Sequence, residues 1–300
     1  MTIRIGYPCI NLSLNCRSTK TFRLQSYSEE KFKSTVESNL ICLEETIKWN
    51  IKHGIRFFRI SSDLIPFASH PICKFPWQKY FRSQLRRIGV LIRQNQIRVS
   101  MHPDQFVLIN AIDKQIVINS IRELLYHAQV LDLIQLPTDA KIQIHIGGAY
   151  GDKETSIKRF ARRFHRLPNA VQRRLVVEND DRLYTVTDCL KLHRLAKIPV
   201  VFDCFHHEVN PDGNAIGTAF LYCARTWRQR DGVPIVDYSS QEPDARLGSH
   251  AQHINLKHFS AFMEQIPKYD FDLMLEIKDK ETSALAALRT LKTKFTPANG

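Results

Sequence analysis

Short apolar runs alternate along the chain with longer stretches whose apolar residues recur at helical spacing. The runs fall at 4–10, 55–61, 98–102, 141–146, 175–178, 199–205, 234–238 and 271–277. Between them the periodicity predicts helices near 28–53, 78–95, 113–134, 153–167, 185–197, 215–229, 255–266 and 280–295. In the first helix Phe32, Val36, Leu40, Leu43, Ile47 and Ile51 form one stripe, Ser28 is the expected N-cap and Gly54 the expected stop. Continuous apolar strands alternating with helices imply a parallel sheet covered by helices. Eight such pairs in 300 residues, with no Pro/Gly/Ser-rich linker between them, predict a (β/α)8 barrel of the TIM type. It is expected to span 1–300 as a single unit with a short disordered tail. No glycine-rich phosphate loop follows the first strand, which counts against a dinucleotide fold.

In a barrel of this kind chemistry belongs at the carboxyl ends of the strands. Read in order, those ends carry Tyr7 and Asn11, then Ser61-Ser62-Asp63 with His70 beyond, then His102-Pro103-Asp104-Gln105-Phe106. The later strands supply His145, Glu178-Asn179-Asp180, Asp203 with His206, Asp237 and Glu276 with Lys278. Any single member has a plain reading, a hydrogen-bonded core histidine or a helix-capping carboxylate. The collective pattern is harder to account for that way. Successive strands deliver His, Asp or Glu to one rim, and carboxylates gathered in a confined space need cations. Imidazole mixed with carboxylate suits Mn²⁺, Zn²⁺ or Fe²⁺, whereas Mg²⁺ prefers oxygen alone. The donors exceed what one open site uses, so two or three ions sharing a carboxylate are expected.

Charge and cysteine content narrow the setting. Forty-three Lys and Arg against 30 Asp and Glu give a net charge of +13, which favours a polyanionic partner, nucleic acid before a membrane. The basic runs Lys158–Arg166 and Arg82–Arg93 lie within predicted helices and read as solvated faces. The cysteines are odd in number, scattered and free of C-x-x-C spacing, so small buried hydrophobes are expected rather than a disulfide framework. Neither a membrane span nor a signal peptide is legible, and a cytoplasmic monomer is the expectation.

Several segments together resemble the UV damage endonucleases. They are Gly6-Tyr7-Pro8-Cys9-Ile10-Asn11, Arg59-Ile60-Ser61-Ser62-Asp63, His102-Pro103-Asp104-Gln105-Phe106, Val177-Glu178-Asn179-Asp180, Phe202-Asp203-Cys204-Phe205-His206-His207 and Leu275-Glu276-Ile277-Lys278-Asp279-Lys280-Glu281. The resemblance covers nearly the whole chain in the right order. It implies a barrel related to endonuclease-IV-type nucleases. Such an enzyme nicks duplex DNA immediately 5′ of ultraviolet photoproducts, leaves a 3′-hydroxyl and a 5′-phosphate, and favours manganese. It implies a first metal at His102, His145 and Glu178. A second would be bridged by Glu178 and completed by Asp203, Asp237 and Glu276, with a third at His206 and His250. It also implies Gln105 and Phe106 as a wedge into the duplex, Tyr7 opposite them and Asn11 on the lesion. Glu178, Glu276 and Lys278 are the candidate catalytic groups, and Lys278 and Lys280 the candidate phosphate contacts. Two positions depart from the family pattern: Asp237 stands where its best-known members place histidine, and Ile235 where they carry a modifiable lysine. Zn²⁺, Co²⁺ or Mg²⁺ are further candidate ions. The competing readings are a sugar isomerase of the related barrel class, a general abasic-site nuclease, and a non-catalytic DNA-binding protein with a structural metal.

Overall fold

The computed structural model describes residues 1–294; the tail expected at the carboxyl terminus lies outside the described residues. Eight parallel strands close into a barrel in sequence order. They are β1 (Ile3–Pro8), β2 (Phe57–Ile60), β3 (Arg98–Met101), β4 (Lys141–His145), β5 (Leu175–Glu178), β6 (Val200–Asp203), β7 (Ile235–Tyr238) and β8 (Phe271–Leu275). Closure comes from β1, which pairs with β2 through Gly6↔Phe57 and with β8 through Ile5↔Leu273. Gly6 is required here, because a Cβ at that position would lie 2.5 Å from the Phe57 carbonyl oxygen.

The helices cover the barrel for reasons already visible in the pattern. Along Glu29–His53 the side chains of Phe32, Val36, Leu40, Leu43 and Ile47 are fully buried, each contributing about 1.5–3 kcal/mol by leaving water. Ser28 accepts from the Lys31 amide, Glu29 and Glu30 sit in the first turn, and Gly54 stops the helix at φ 75°. Other boundaries moved. The helix expected over 78–95 is split into Trp77–Tyr80 and Arg82–Gln94. A continuous strand was expected to run to Phe205, but β6 stops at Asp203, whose side chain caps a short helix, Cys204–Val209, by accepting from the His206 amide at 2.8 Å. One cysteine expectation also fails: Cys16, after β1, is disulfide-bonded to Cys42 on the first helix. Cys189, Cys204 and Cys223 are buried thiols, as expected.

Residues two apart along each strand share a face, and the inward set is layered. At the amino-terminal end Arg4 and Arg98 both donate to Asp272, at 2.5–2.7 Å, and Lys141 donates to Asp231 at 2.6 Å. Above them Phe57, Val176, Val201, Ile235 and Met274 form a separate apolar cluster. This plug seals the barrel, and Ile235 within it offers no polar atom. The next inward positions are Arg59, Gln143, Glu178, Asp203 and Asp237, and they form the floor of the site.

Candidate metal centre

The carboxyl ends of β3 to β8 bring their polar side chains into one cavity of about 430 Å³, lined among others by His102, His145, His206, His250, Glu276 and Arg59. Three overlapping groups each place ligand atoms within 4.8 Å of one another: His102, His145 and Glu178; Glu178, Asp203 and His206; and Asp203, Asp237 and Glu276. Glu178 and Asp203 are 1% exposed and Asp237 not at all. The imidazoles above them keep between a tenth and a quarter of their surface open. Three carboxylates thus lie deep, while Glu276, 21% exposed, sits at the level of the imidazoles. His145 comes inward because it follows Ile144 and precedes Ile146, both packed in the outer core.

Hydrogen bonding fixes which imidazole nitrogen is available. Nδ1 of His102 lies 2.8 Å from the Pro103 carbonyl, Nδ1 of His206 3.0 Å from that of Asn179, and Nδ1 of His250 2.8 Å from that of Glu276. A carbonyl only accepts, so each Nδ1 carries the proton and each Nε2 of the neutral ring presents a lone pair. Nε2 of His102 is 2.7 Å and Nε2 of His145 3.2 Å from the same Oε1 of Glu178. Acceptors held that close repel unless a cation or a proton lies between them. The donor set and its tautomers therefore fit a divalent metal of the Mn²⁺ or Zn²⁺ type, bound through Nε2.

Proton affinities tell the same story. Burial pushes Asp203 up to about 6, with Glu276 and Glu178 adding to the shift against the pull of His206. Burial would depress His206, but Asp203, Glu178 and Glu276 raise it to about 9. Burial would raise Glu276, yet Arg59 brings it down to about 2. Negative charge is in excess here, and protons or metals compete for it.

Two floor residues escaped the sequence reading. Arg59, on β2, donates from Nη2 to both oxygens of Asp237 at 2.9 and 2.8 Å and from Nη1 to Glu276. Gln143, two residues before His145, donates to Glu178 and Asp237 and accepts from Arg59 at 3.1 Å. A single charged residue in the otherwise apolar Phe57-Phe58-Arg59-Ile60, at inward parity, is the signal that would have found Arg59.

The rim is shaped by the loop after β3. Gln105 lines the metal cavity, whereas Phe106, 63% exposed, faces a neighbouring cavity of about 570 Å³ together with Phe67 and the exposed His70. Asp104 lines both, so this loop forms the ridge between them. Lys278 and Lys280 line the metal cavity on the β8 side. Tyr7 and Asn11 do not reach this surface. Tyr7 faces outward from β1 and its hydroxyl donates to Asn50 of the first helix at 2.6 Å. Asn11, 2% exposed, donates in turn to that hydroxyl at 2.8 Å. Strand parity puts the ring between sheet and helix, where it is fully buried. Part of the basic run in Lys153–Phe164 is also structural: Arg159 donates to the Asn110 carbonyl, and Arg163 to those of Ile109 and Ala111. These bonds pin the segment that follows the ridge.

Fold and site together define a closed barrel carrying a histidine–carboxylate centre in a basic chain. The family model described as UV-endonuclease UvdE matches residues 3–297. The UV DNA damage endonuclease of Clostridium perfringens is 37% identical over 97% of this chain and 71% of its own length. That of Bacillus cereus (strain Q1) is 33% identical over 98% of this chain and 96% of its own. The crystal structure of SacUVDE superposes with a TM-score of 0.93 at 43% identity, covering 97% of this chain and 98% of that one. The chain belongs to the UV-endonuclease UvdE family and is an endonuclease by that membership. No helix among the described residues is long and apolar enough to cross a membrane.

Proposed function

We propose that this protein nicks duplex DNA immediately 5′ of cyclobutane dimers and 6-4 photoproducts, leaving a 3′-hydroxyl and a 5′-phosphate, with Mn²⁺ as its working ion. The observation that carries this reading is the set of Nε2 lone pairs facing buried carboxylates beneath a lysine-flanked, aromatic-edged rim. When bound, divalent ions supply an activated water and neutralise charge on the scissile phosphate. Lys278 and Lys280 hold the flanking phosphates. Gln105 and Phe106, on the ridge, fill the gap left by an extruded lesion, and a photodimer is cheaper to extrude because it already stacks poorly. Arg59 keeps Glu276 ionised and weakens it as a base, which speaks against Glu276 as the general base. Glu178 orders His102 and His145 around one oxygen.

Incubation with Mn²⁺ and ultraviolet-irradiated supercoiled plasmid is the direct test. Nicking above the unirradiated control is expected, and equal nicking of both would overturn the assignment. Oligonucleotides carrying one thymine dimer or one abasic site separate this activity from that of a general abasic-site nuclease.

A further inference from the structure

We propose that Arg59 fills the place of a cation in this centre, so that the chain holds two divalent ions and Asp237 serves as the guanidinium's counter-ion rather than as a metal ligand. The inference rests on reading the cavity as a metal centre, but it concerns which positions metals take.

The Asp237 carboxylate is already engaged by a cation and an amide donor. Arg59 Nη2 spans both of its oxygens, Gln143 Nε2 adds a bond to Oδ2, and the side chain is sealed from solvent by the apolar plug below. Arg59 also reaches Glu276, so one guanidinium bridges two of the three carboxylates in the Asp203, Asp237 and Glu276 group. A divalent ion on Asp237 would bond at about 2.0–2.2 Å, placing two positive charges within about 5 Å of a buried guanidinium that never deprotonates. At that separation, out of bulk water, the repulsion is large. The other two groups feel Arg59 only through space and are not hydrogen-bonded to it. Nε2 of His102 and His145 faces one oxygen of Glu178, and Glu178 and Asp203 flank His206, with the His250 ring 6.1 Å from that of His206.

Charge counting agrees. The carboxylates of Glu178, Asp203, Asp237 and Glu276 against Arg59 leave three negative charges with the imidazoles neutral. Two divalent ions bring the centre to one positive charge, enough to attract a phosphate. A third ion would raise it to three positive charges in a buried pocket.

The test is a metal count on the full chain, free of any activity readout. After dialysis to equilibrium against Mn²⁺, elemental analysis is expected to return two ions per chain, and any other number overturns the proposal. Asp237→Asn is expected to keep both ions, whereas loss of one would make Asp237 a ligand. Arg59→Met, if folded by circular dichroism, is expected to gain a third ion, and a folded variant still holding two overturns the exclusion argument. If it does not fold, the wild-type and Asp237→Asn counts decide. A protein that binds two ions yet does not nick irradiated DNA would sink the nuclease reading alone. One that nicks with three ions bound would sink this one alone.

Discussion

The two ends of the barrel are built from the same residue types and arrive at opposite balances. At the amino-terminal end the buried Arg98 and Lys141 are matched by Asp272 and Asp231, and the third cation on Asp272, Arg4, is partly open to solvent, so the buried charges pair one another. At the carboxyl end four carboxylates, Glu178, Asp203, Asp237 and Glu276, gather around a single guanidinium that pairs only with Asp237 and Glu276, and imidazoles face the surplus. An apolar plug separates the two sets. The closed end is a scaffold because its charges are spent on each other. The open end is a site because they are not. Buried charge alone therefore does not mark function in this fold; the unmatched remainder does.

Substitutions at each end should expose that contrast. Glu178→Gln is expected to reduce nicking of irradiated plasmid by roughly a thousand-fold, the equivalent of several kcal/mol of lost charge stabilisation. The melting temperature of the metal-free variant should fall only slightly: His145, His102 and His206 favour the ionised Glu178, and with that charge gone they can shed their protons. A large fall in metal-free stability would mean that the carboxyl end is a scaffold too. Asp272→Asn should behave in the opposite way. It leaves Arg4 and the buried Arg98 short of their partner, at a cost of about 3–5 kcal/mol or about 5–10 °C in Tm. Turnover per folded molecule should remain within about twofold, as steady-state nicking would report.

Chelation sharpens the comparison further. Ions that bind the folded chain and not the unfolded one stabilise it by about 2.7 kcal/mol at a hundred times their Kd. EDTA should therefore lower the wild-type Tm measurably in a thermal melt and leave that of Glu178→Gln nearly unmoved. Phe106→Ala carries the smallest effect. An exposed ring contributes little to folding, so stability should be unchanged. Loss of stacking at about 1–3 kcal/mol should still weaken binding to a dimer-containing duplex by roughly tenfold, with binding to intact duplex less affected. Equal weakening on both would remove Phe106 from lesion recognition.

Much of this was legible in the chain. Strands, their order and closure follow from apolar runs at regular intervals, since a parallel strand buried on both faces has few other ways to read. His102, His145, Glu178, Asp203 and Asp237 were found because strand ends are where a barrel exposes chemistry. Tyr7 was misplaced for a reason of parity: adjacent strand residues face opposite ways, and a shift of one exchanges rim for core. Arg59 was missed because a lone arginine within a strand looks like an interruption until its cross-barrel partners are known. Cys16 and Cys42 lie 26 residues apart, and no spacing rule would have joined them. His250, on a loop, had only the family resemblance to point to it.

The backbone carbonyls that hold Nδ1 of His102, His206 and His250 have a consequence for supply rather than catalysis. A socket whose ring orientations are set before any ion arrives asks for little on loading beyond the release of protons. With no strain to discriminate between first-row ions, affinity follows the common ranking in which copper and zinc exceed manganese. Which ion is aboard then becomes a record of the medium in which the protein was made. A preparation grown with added manganese and one grown with added zinc should differ in contents while sharing one backbone.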